Sequence, residues 1–304
     1  MSGFPTRILA ATDGSEDAVL ALRAAADLSS STGSELHVVH VWPGPPIPVS
    51  RPYARAGVAR DDPREHEMKA RELLERQVSR AKIARGIIAR KHLREGRPAE
   101  EIAELAEELG VGLVIIGSRG LNTVKRLVVG SVSEGVVSLA PCPVLVVRGG
   151  EAAWPPSRVV VGDDTSPEAK RAGELAASIG ELFGAPVLLV GAYLPEGRYI
   201  SSAVNRQVTR NIARGVEEFL ETRASQLEDV SGVRPRVRVV EGYPAAAIQE
   251  AAEESGEPTL SAVGRRGLGA VARFALGSVS SDVLRSVTGP VLVVPSSGNV
   301  APPS

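Results

Sequence analysis

Two glycine segments carry the residues best suited to chemistry. Gly117-Ser118-Arg119-Gly120 is followed, after nine residues, by Gly130-Ser131-Val132-Ser133. Gly264-Arg265-Arg266-Gly267 is followed, again after nine residues, by Gly277-Ser278-Val279-Ser280. Glycine lets a backbone approach a ligand closely and adopt positive φ. Successive backbone N–H groups in such a loop make an anion-binding concavity, and a helix starting at the returning Gly-Ser points its free N–H groups and positive dipole end at the same place. The hydroxyls of Ser131 and Ser133 can donate to phosphate or ligate a phosphate-bound Mg²⁺. Arg119, Lys125 and Arg126 add positive charge, with Arg265, Arg266 and Arg273 as counterparts. This chemistry suits a polyphosphate. The pattern is neither G-x-x-x-x-G-K-[ST] nor G-x-G-x-x-G, so it is not a Walker loop or a dinucleotide fingerprint.

Such a loop must be held between a buried strand and a helix, and the flanking sequence reads that way. Leu113–Ile116 is apolar without alternation, as in a central strand, and Val132, Val136 and Leu139 follow at helical spacing. Arg7–Thr12 is a short apolar run ending in Asp13-Gly14-Ser15, a turn and helix-cap signal. Val19, Leu22 and Ala26 then predict a helix. Further strands are expected at Leu36–Trp42, Ile87–Leu93 and Val144–Val147. Further helices are expected on the stripes Ala70, Leu74, Val78, Ala81 and, after Pro98, Ile102, Leu105, Ala106, Leu109. The proline-rich stretch 43–63 reads as a loop, either over the ligand or simply on the surface.

The whole scheme occurs twice. The two glycine segments are 147 residues apart, and Glu95–Ala99, Pro143–Val147 and Asp13–Ser15 recur as Glu241–Ala245, Pro290–Val294 and Asp164–Ser166. Second-copy strands are expected near 158–162, 187–193, 235–240, 259–263 and 291–294. The predicted domains are 1–149 and 157–296, joined by a Gly- and Pro-containing linker. Strands alternating with helices imply an α/β fold with a mostly parallel sheet, whose ligands bind beyond the carboxyl ends of the strands at a switch point.

Composition bounds the function classes. The chain has 304 residues, 43% apolar and 23% charged, with aromatics at 3% and a formal net charge of −1. That balance points to no nucleic-acid or acidic-membrane partner. The single cysteine, Cys142, excludes a disulfide framework within the chain; placed between prolines at a strand entry, it reads as a packing residue. The segment from Met1 to Arg7 has no apolar stretch for a signal peptide, and no apolar run approaches the roughly 20 residues of a spanning helix, so a cytoplasmic protein is expected. The four histidines, His37, His40, His66 and His92, show no metal-ligand spacing and read as surface or sheet residues.

The spacing G-x-x-G-x9-G-[ST], with a first strand ending in Asp13-Gly14-Ser15, resembles the ATP-binding class of universal stress proteins, twice over nearly the whole chain. The resemblance implies two tandem Rossmann-like (adenine nucleotide alpha hydrolase-like) domains, each a five-stranded parallel sheet of order 3-2-1-4-5 with helices on both faces. It implies that Asp13, with the backbone near Ala11 and Val41, contacts adenine. It also implies that Gly117, Arg119, Gly120, Gly130, Ser131, Val132 and Ser133 surround ribose and phosphates. The matching second-copy positions are Gly162, Asp164, Ala192, Gly264, Arg266, Gly267, Gly277, Ser278, Val279 and Ser280. ATP, with Mg²⁺ through its phosphates, is the implied ligand, acting structurally or in regulation. The last strands, 144–147 and 291–294, are expected to pair within the chain, or between chains in a homodimer.

One departure stands out. The second copy reads Asp163-Asp164-Thr165-Ser166 where the first reads Thr12-Asp13-Gly14-Ser15: a threonine replaces a turn glycine, and an extra carboxylate would repel phosphate if it pointed inward. Asp13 and Asp164 can also serve simply as helix caps, a role compatible with ligand contact. With no nucleophile and general base at the loops, fast hydrolysis is not expected. The rival readings are a scaffold that binds no nucleotide and a slow ATPase or adenylate-handling enzyme.

Overall fold

The structure, a computed structural model, describes residues 4–44, 63–84, 86–118, 129–194, 202–265 and 276–296, without the side chains of 63, 202–206 and 230. The prolines 45–52, the central parts of both glycine segments (119–128 and 266–275) and hence Arg119, Gly120, Lys125, Arg126, Arg266, Gly267 and Arg273 lie outside the described residues.

The first half runs β1 (Arg7–Thr12), α1 (Glu16–Thr32), β2 (Glu35–Trp42), α2 (Pro63–Ala81), β3 (Ile88–Glu95), α3 (Pro98–Glu108), β4 (Leu113–Gly117), α4 (Ser131–Leu139) and β5 (Val144–Val147). The second repeats it as β6 (Arg158–Gly162), α5 (Pro167–Phe183), β7 (Val187–Tyr193), α6 (Ser202–Ser231), β8 (Arg236–Glu241), α7 (Pro244–Glu253), β9 (Thr259–Gly264), α8 (Ser278–Ser286) and β10 (Val291–Val294). The result is an α/β protein with a mostly parallel sheet. The least regular expectation, the strand at Ile87–Leu93, extends to Glu95 because pairing with β2 continues to Trp42↔Glu95.

The ten strands among the described residues form one sheet, in the order β3-β2-β1-β4-β5-β10-β9-β6-β7-β8. Every pairing is parallel except the central one. There β10 runs antiparallel to β5, with Val291 opposite Val146 and Leu292 opposite Leu145. The interior strands are largely apolar, as expected of strands covered on both faces, although β2 carries His37 and His40 and β9 carries Ser261; β4 is buried along its whole length.

Helices cover each face, and each apolar layer crosses the β5–β10 seam. One layer joins Ile8, Leu22 and Leu145 to Leu292, Ile179 and Leu220, under α1, α2, α5 and α6. The other joins Leu9, Ile102 and Val146 to Val291, Ile248 and Leu284, under α3, α4, α7 and α8. The connection between the halves is itself packed: Trp154 is buried, donates from Nε1 to Asp27 Oδ2 at 3.1 Å and meets the Phe183 ring edge-on at 5.4 Å. Among the described residues, no helix is long and apolar enough to cross a membrane.

Candidate functional site

In each half the candidate site lies where the first and fourth strands of that half end side by side. Ala11 pairs with Ile116 and with Val39. Two residues further along these strands come Asp13, Ser118 and Val41, so the register brings the end of β1 between the glycine segment and the end of β2. In the second half Val161 pairs with Ala262 and Gly162 with Val190, so that two residues beyond Gly162 the register brings Asp164 between Arg265 and Ala192 in the same way. Ala11, Val41 and Val132 belong to one apolar layer, and Ala192 and Val279 to its continuation.

The Asp13 and Asp164 side chains are exposed and folded onto their own turns. Asp13 Oδ1 accepts from the Ser15 amide at 3.0 Å, and Asp164 Oδ1 accepts from the Ser166 amide at 3.1 Å. The helix caps proper are Ser15 and Ser166, whose hydroxyl oxygens accept from Ala18 N at 3.2 Å and Ala169 N at 3.1 Å. The turn needs a left-handed residue, Gly14 at φ 95° in the first half. Thr165 holds that conformation at φ 74° in the second, a strained one for a β-branched residue.

The glycine segments are pinned at their exits and returns. Gly130 N donates to Ser118 O at 2.8 Å, and Gly277 N donates to Arg265 O at 2.9 Å. Ser133 Oγ donates to Gly117 O at 2.9 Å and to Ser118 O at 3.1 Å; Ser280 Oγ donates to Arg265 O at 2.8 Å and to Gly277 O at 3.0 Å. Both serines are buried. The hydroxyls offered to phosphate by sequence are therefore turned inward, where they latch the two ends of each loop. Ser131 and Ser278, at the first helical positions, are exposed instead. Gly130 and Gly277 occupy the N-caps of α4 and α8 with no side-chain cap, so no described side chain occupies the first-turn N–H groups.

Gly117 has a packing reason of its own. A Cβ there would sit 2.7 Å from Ala18 N and from the Asp17 carbonyl carbon; the end of β4 touches the start of α1 backbone to backbone. Gly162 is hemmed in by Ile248, whose Cδ1 would lie 2.3 Å from an added Cβ.

Two expectations need correction. Among the described residues, the Arg265 guanidinium is directed to the other half rather than held over its own glycine segment. Arg265 is buried, and its Nη1 donates across the seam to the carbonyls of Val137, Ser138 and Ala140 at 3.3, 3.0 and 3.1 Å. Those carbonyls close α4 and need partners of their own. Asp163 is no free carboxylate facing phosphate either. It is buried, receives Arg223 Nε on Oδ2 at 2.8 Å and the Thr165 amide on Oδ1 at 2.8 Å. Burial raises its carboxyl above the ordinary value, which Arg223 and the Thr165 amide only partly offset.

Several residues around the site were not singled out by sequence. His40 is buried, and its Nδ1 lies 2.8 Å from Thr12 O, bracing the end of β1. Gln77 Nε2 donates to Gly14 O at 3.2 Å. Arg223 lies 146 residues after Gln77, the offset that also separates Glu95 from Glu241; that shared offset was the available signal. Elsewhere, His37 is buried and stacks on His92, with Nδ1 and Nε2 2.9 Å apart. Burial, then the neighbouring His37, pushes His92 below its ordinary value. The Cys142 thiol is pushed up to about 12 by burial, so it offers no thiolate at neutral pH.

Comparison with known proteins agrees with this fold. The universal stress protein family profile matches residues 5–148 and again residues 156–295. The chain is similar to the universal stress protein YxiE of Bacillus subtilis, 35% identical over 145 residues, which cover 47% of this chain and 98% of that one. It resembles the crystal structure of a universal stress protein from Archaeoglobus fulgidus with a TM-score of 0.61 and 24% identity, covering 96% of this chain and 99% of the other. A functionally unknown protein from Pseudomonas aeruginosa PAO1 shares the fold with a TM-score of 0.66 at 17% identity, covering 96% and 93% of the two chains. With the family matched in both halves, the chain belongs to the universal stress protein family as a tandem, two-domain member.

Proposed function

We propose that this stress-response protein binds ATP as a structural or regulatory ligand in one or both of its domains, 1–149 and 157–296, and does so in the cytoplasm. Adenine would lie against Asp13 and the backbone near Ala11 and Val41, or against Asp164, Gly162 and Ala192. Ribose and phosphates would lie along the glycine segments, from Gly117, Arg119 and Gly120 to Gly130, Ser131, Val132 and Ser133. In the second domain they would run from Gly264, Arg266 and Gly267 to Gly277, Ser278, Val279 and Ser280.

One observation carries this reading. Both halves have an exposed aspartate turn at the end of the first strand, set beside a glycine segment that returns to an uncapped helix N-terminus. Such an end favours anions. The neutralised Asp163 removes the repulsion that would have disfavoured the second half. A phosphate-bound Mg²⁺ would lie on the side of the exposed Ser131 and Ser278, because Ser133 and Ser280 are buried with their hydroxyls turned to backbone carbonyls.

The test is a calorimetric titration of Mg-ATP into nucleotide-free protein. Two sites per chain would support both loops as phosphate cradles, and one would support a single working half. No heat at several temperatures, with no thermal shift, would overturn the reading. A ligand at 100 times its Kd stabilises a protein by about 2.7 kcal/mol, which a melting experiment detects.

A further inference from the structure

We propose that Arg265, a residue of the second half, is a positioning residue for the nucleotide site of the first half, and that occupancy of one glycine loop is felt at the other through it. The inference rests on the nucleotide-binding reading and adds its regulation.

The main chain of Arg265 is the post from which the second glycine segment departs and to which it returns. Its amide donates to Val294 O at 2.6 Å, and its carbonyl accepts from Gly277 N at 2.9 Å and from Ser280 Oγ at 2.8 Å. Its side chain leaves that post for the other half. There Nη1 takes the carbonyls of Val137, Ser138 and Ala140 at 3.3, 3.0 and 3.1 Å. A cation at a helix C-terminus is favoured by the dipole and satisfies the orphan carbonyls.

The helix so held is α4, nine residues from Ser131 to Leu139, or about 13.5 Å at 1.5 Å per residue. Its far end is the return of the first glycine segment. Ser133 binds the carbonyls of Gly117 and Ser118 there. A single short, hydrogen-bonded rod thus joins the anchor of one loop to the anchor of the other. Its flank is also tied across the seam, by Arg285 Nε to Glu134 Oε1 at 3.1 Å.

The link is directional in its chemistry. Ser118 occupies the first-half position corresponding to Arg265, 147 residues earlier, and a serine has no such reach. The first half holds α8 from a different place, through Arg148, which donates to the Leu284 carbonyl.

The experiment is hydrogen–deuterium exchange on the full chain with and without Mg-ATP. Ser131→Glu puts a negative charge at the α4 N-terminus and closes the first site, leaving the second as the binding site. The expected result is that Mg-ATP still slows exchange within 131–140 by about fivefold, the lower end of ordinary coupling between sites. Adding Arg265→Ser, which copies the first half, should abolish that slowing while protection around 276–281 persists. Arg265→Lys, which keeps the charge but not the fork, should fall between and serves if the serine variant does not fold. If ATP binds only in the first half of the wild-type chain, the readout becomes its affinity. Arg265→Ser must then weaken it by about fivefold or more, with Arg265→Lys intermediate. Protection confined to the second half, transmission unchanged in both Arg265 variants, or an unchanged first-site affinity overturns this inference alone. Absence of any protection by Mg-ATP in the wild-type chain overturns the nucleotide reading and this inference with it.

Discussion

Asp163 and Arg223 form a buried ion pair, Oδ2 to Nε at 2.8 Å, in the place where the first half carries Thr12 and Gln77. Neither neutral side chain is fully satisfied: among the described residues, Thr12 Oγ1 and Gln77 Oε1 are buried without a hydrogen-bond partner. The two halves thus solve one packing problem in two ways. Removing one member of a buried pair strands the other and typically costs about 3–5 kcal/mol, whereas replacing both is often neutral. Asp163→Thr or Arg223→Gln alone should therefore lower unfolding stability by that order. The double variant Asp163→Thr/Arg223→Gln should recover most of the loss. Urea denaturation of the three variants checks this; additive losses would show that the pair is not a unit.

The same carboxyl predicts a pH dependence with a definite sign. Its folded pKa lies above the ordinary 3.8, chiefly through burial. The folded chain then holds the proton longer than the unfolded one. Stability from this group is complete below the ordinary value and is lost as pH rises through the folded value. Relative to the double variant, the wild type should lose stability as pH climbs from 3.8 through that window. Denaturation across the window is the measurement, and a relative gain would contradict the assignment.

Thr165 carries a side chain where the first half has Gly14. At φ 74° and exposed, it bears a backbone cost of about 1–3 kcal/mol with little packing to offset it. Thr165→Gly should raise the unfolding midpoint, by about 1 kcal/mol after the entropy that glycine loses. Gly14→Thr should lower it. Thermal melts of nucleotide-free protein separate the two.

Gly117→Ala would force a methyl to 2.7 Å from the backbone of Asp17 and Ala18. Neither partner is a side chain that could swing away. Overpacking of this kind costs about 1–3 kcal/mol, and the loss should be measurable without any ligand. An unchanged midpoint would mean that β4 and α1 are less closely apposed than described.

Ser131 and Ser133 should behave oppositely in nucleotide-free protein. Ser133→Ala removes a buried hydroxyl that holds two carbonyls and should cost about 1 kcal/mol. Ser131→Ala, at an exposed site, should leave stability nearly unchanged and act on Mg-ATP affinity instead. Paired denaturation and titration of the two variants decide the matter.

Much of the architecture was legible because it rests on short-range patterning. The unbroken apolar run at Leu113–Ile116 marked a strand buried on both faces. Asp13-Gly14-Ser15 marked the start of α1, and Pro98 stands in the first turn of α3 as its position indicated. The repeat of the glycine segments, with the Asp13-Gly14-Ser15 strand end, was enough to indicate the family, since spacing is preserved along a chain whatever it packs against.

Sequence by itself determined the two-fold repetition, the alternation of strands and helices, and where the two glycine segments fall between them. Tertiary structure alone decided which polar groups those loops keep for themselves. Asp163 looked like an intruding charge because its partner, Arg223, lies 60 residues away. Arg265 looked like a phosphate-side cation because the carbonyls it serves lie 125 to 128 residues earlier. Periodicity and capping are local properties, set by bonds a few residues long. The partner of a buried charge is set by which strands and helices become neighbours, within a half for Asp163 and across the seam for Arg265, and the burial that makes such a partner obligatory does not exist until those elements have packed.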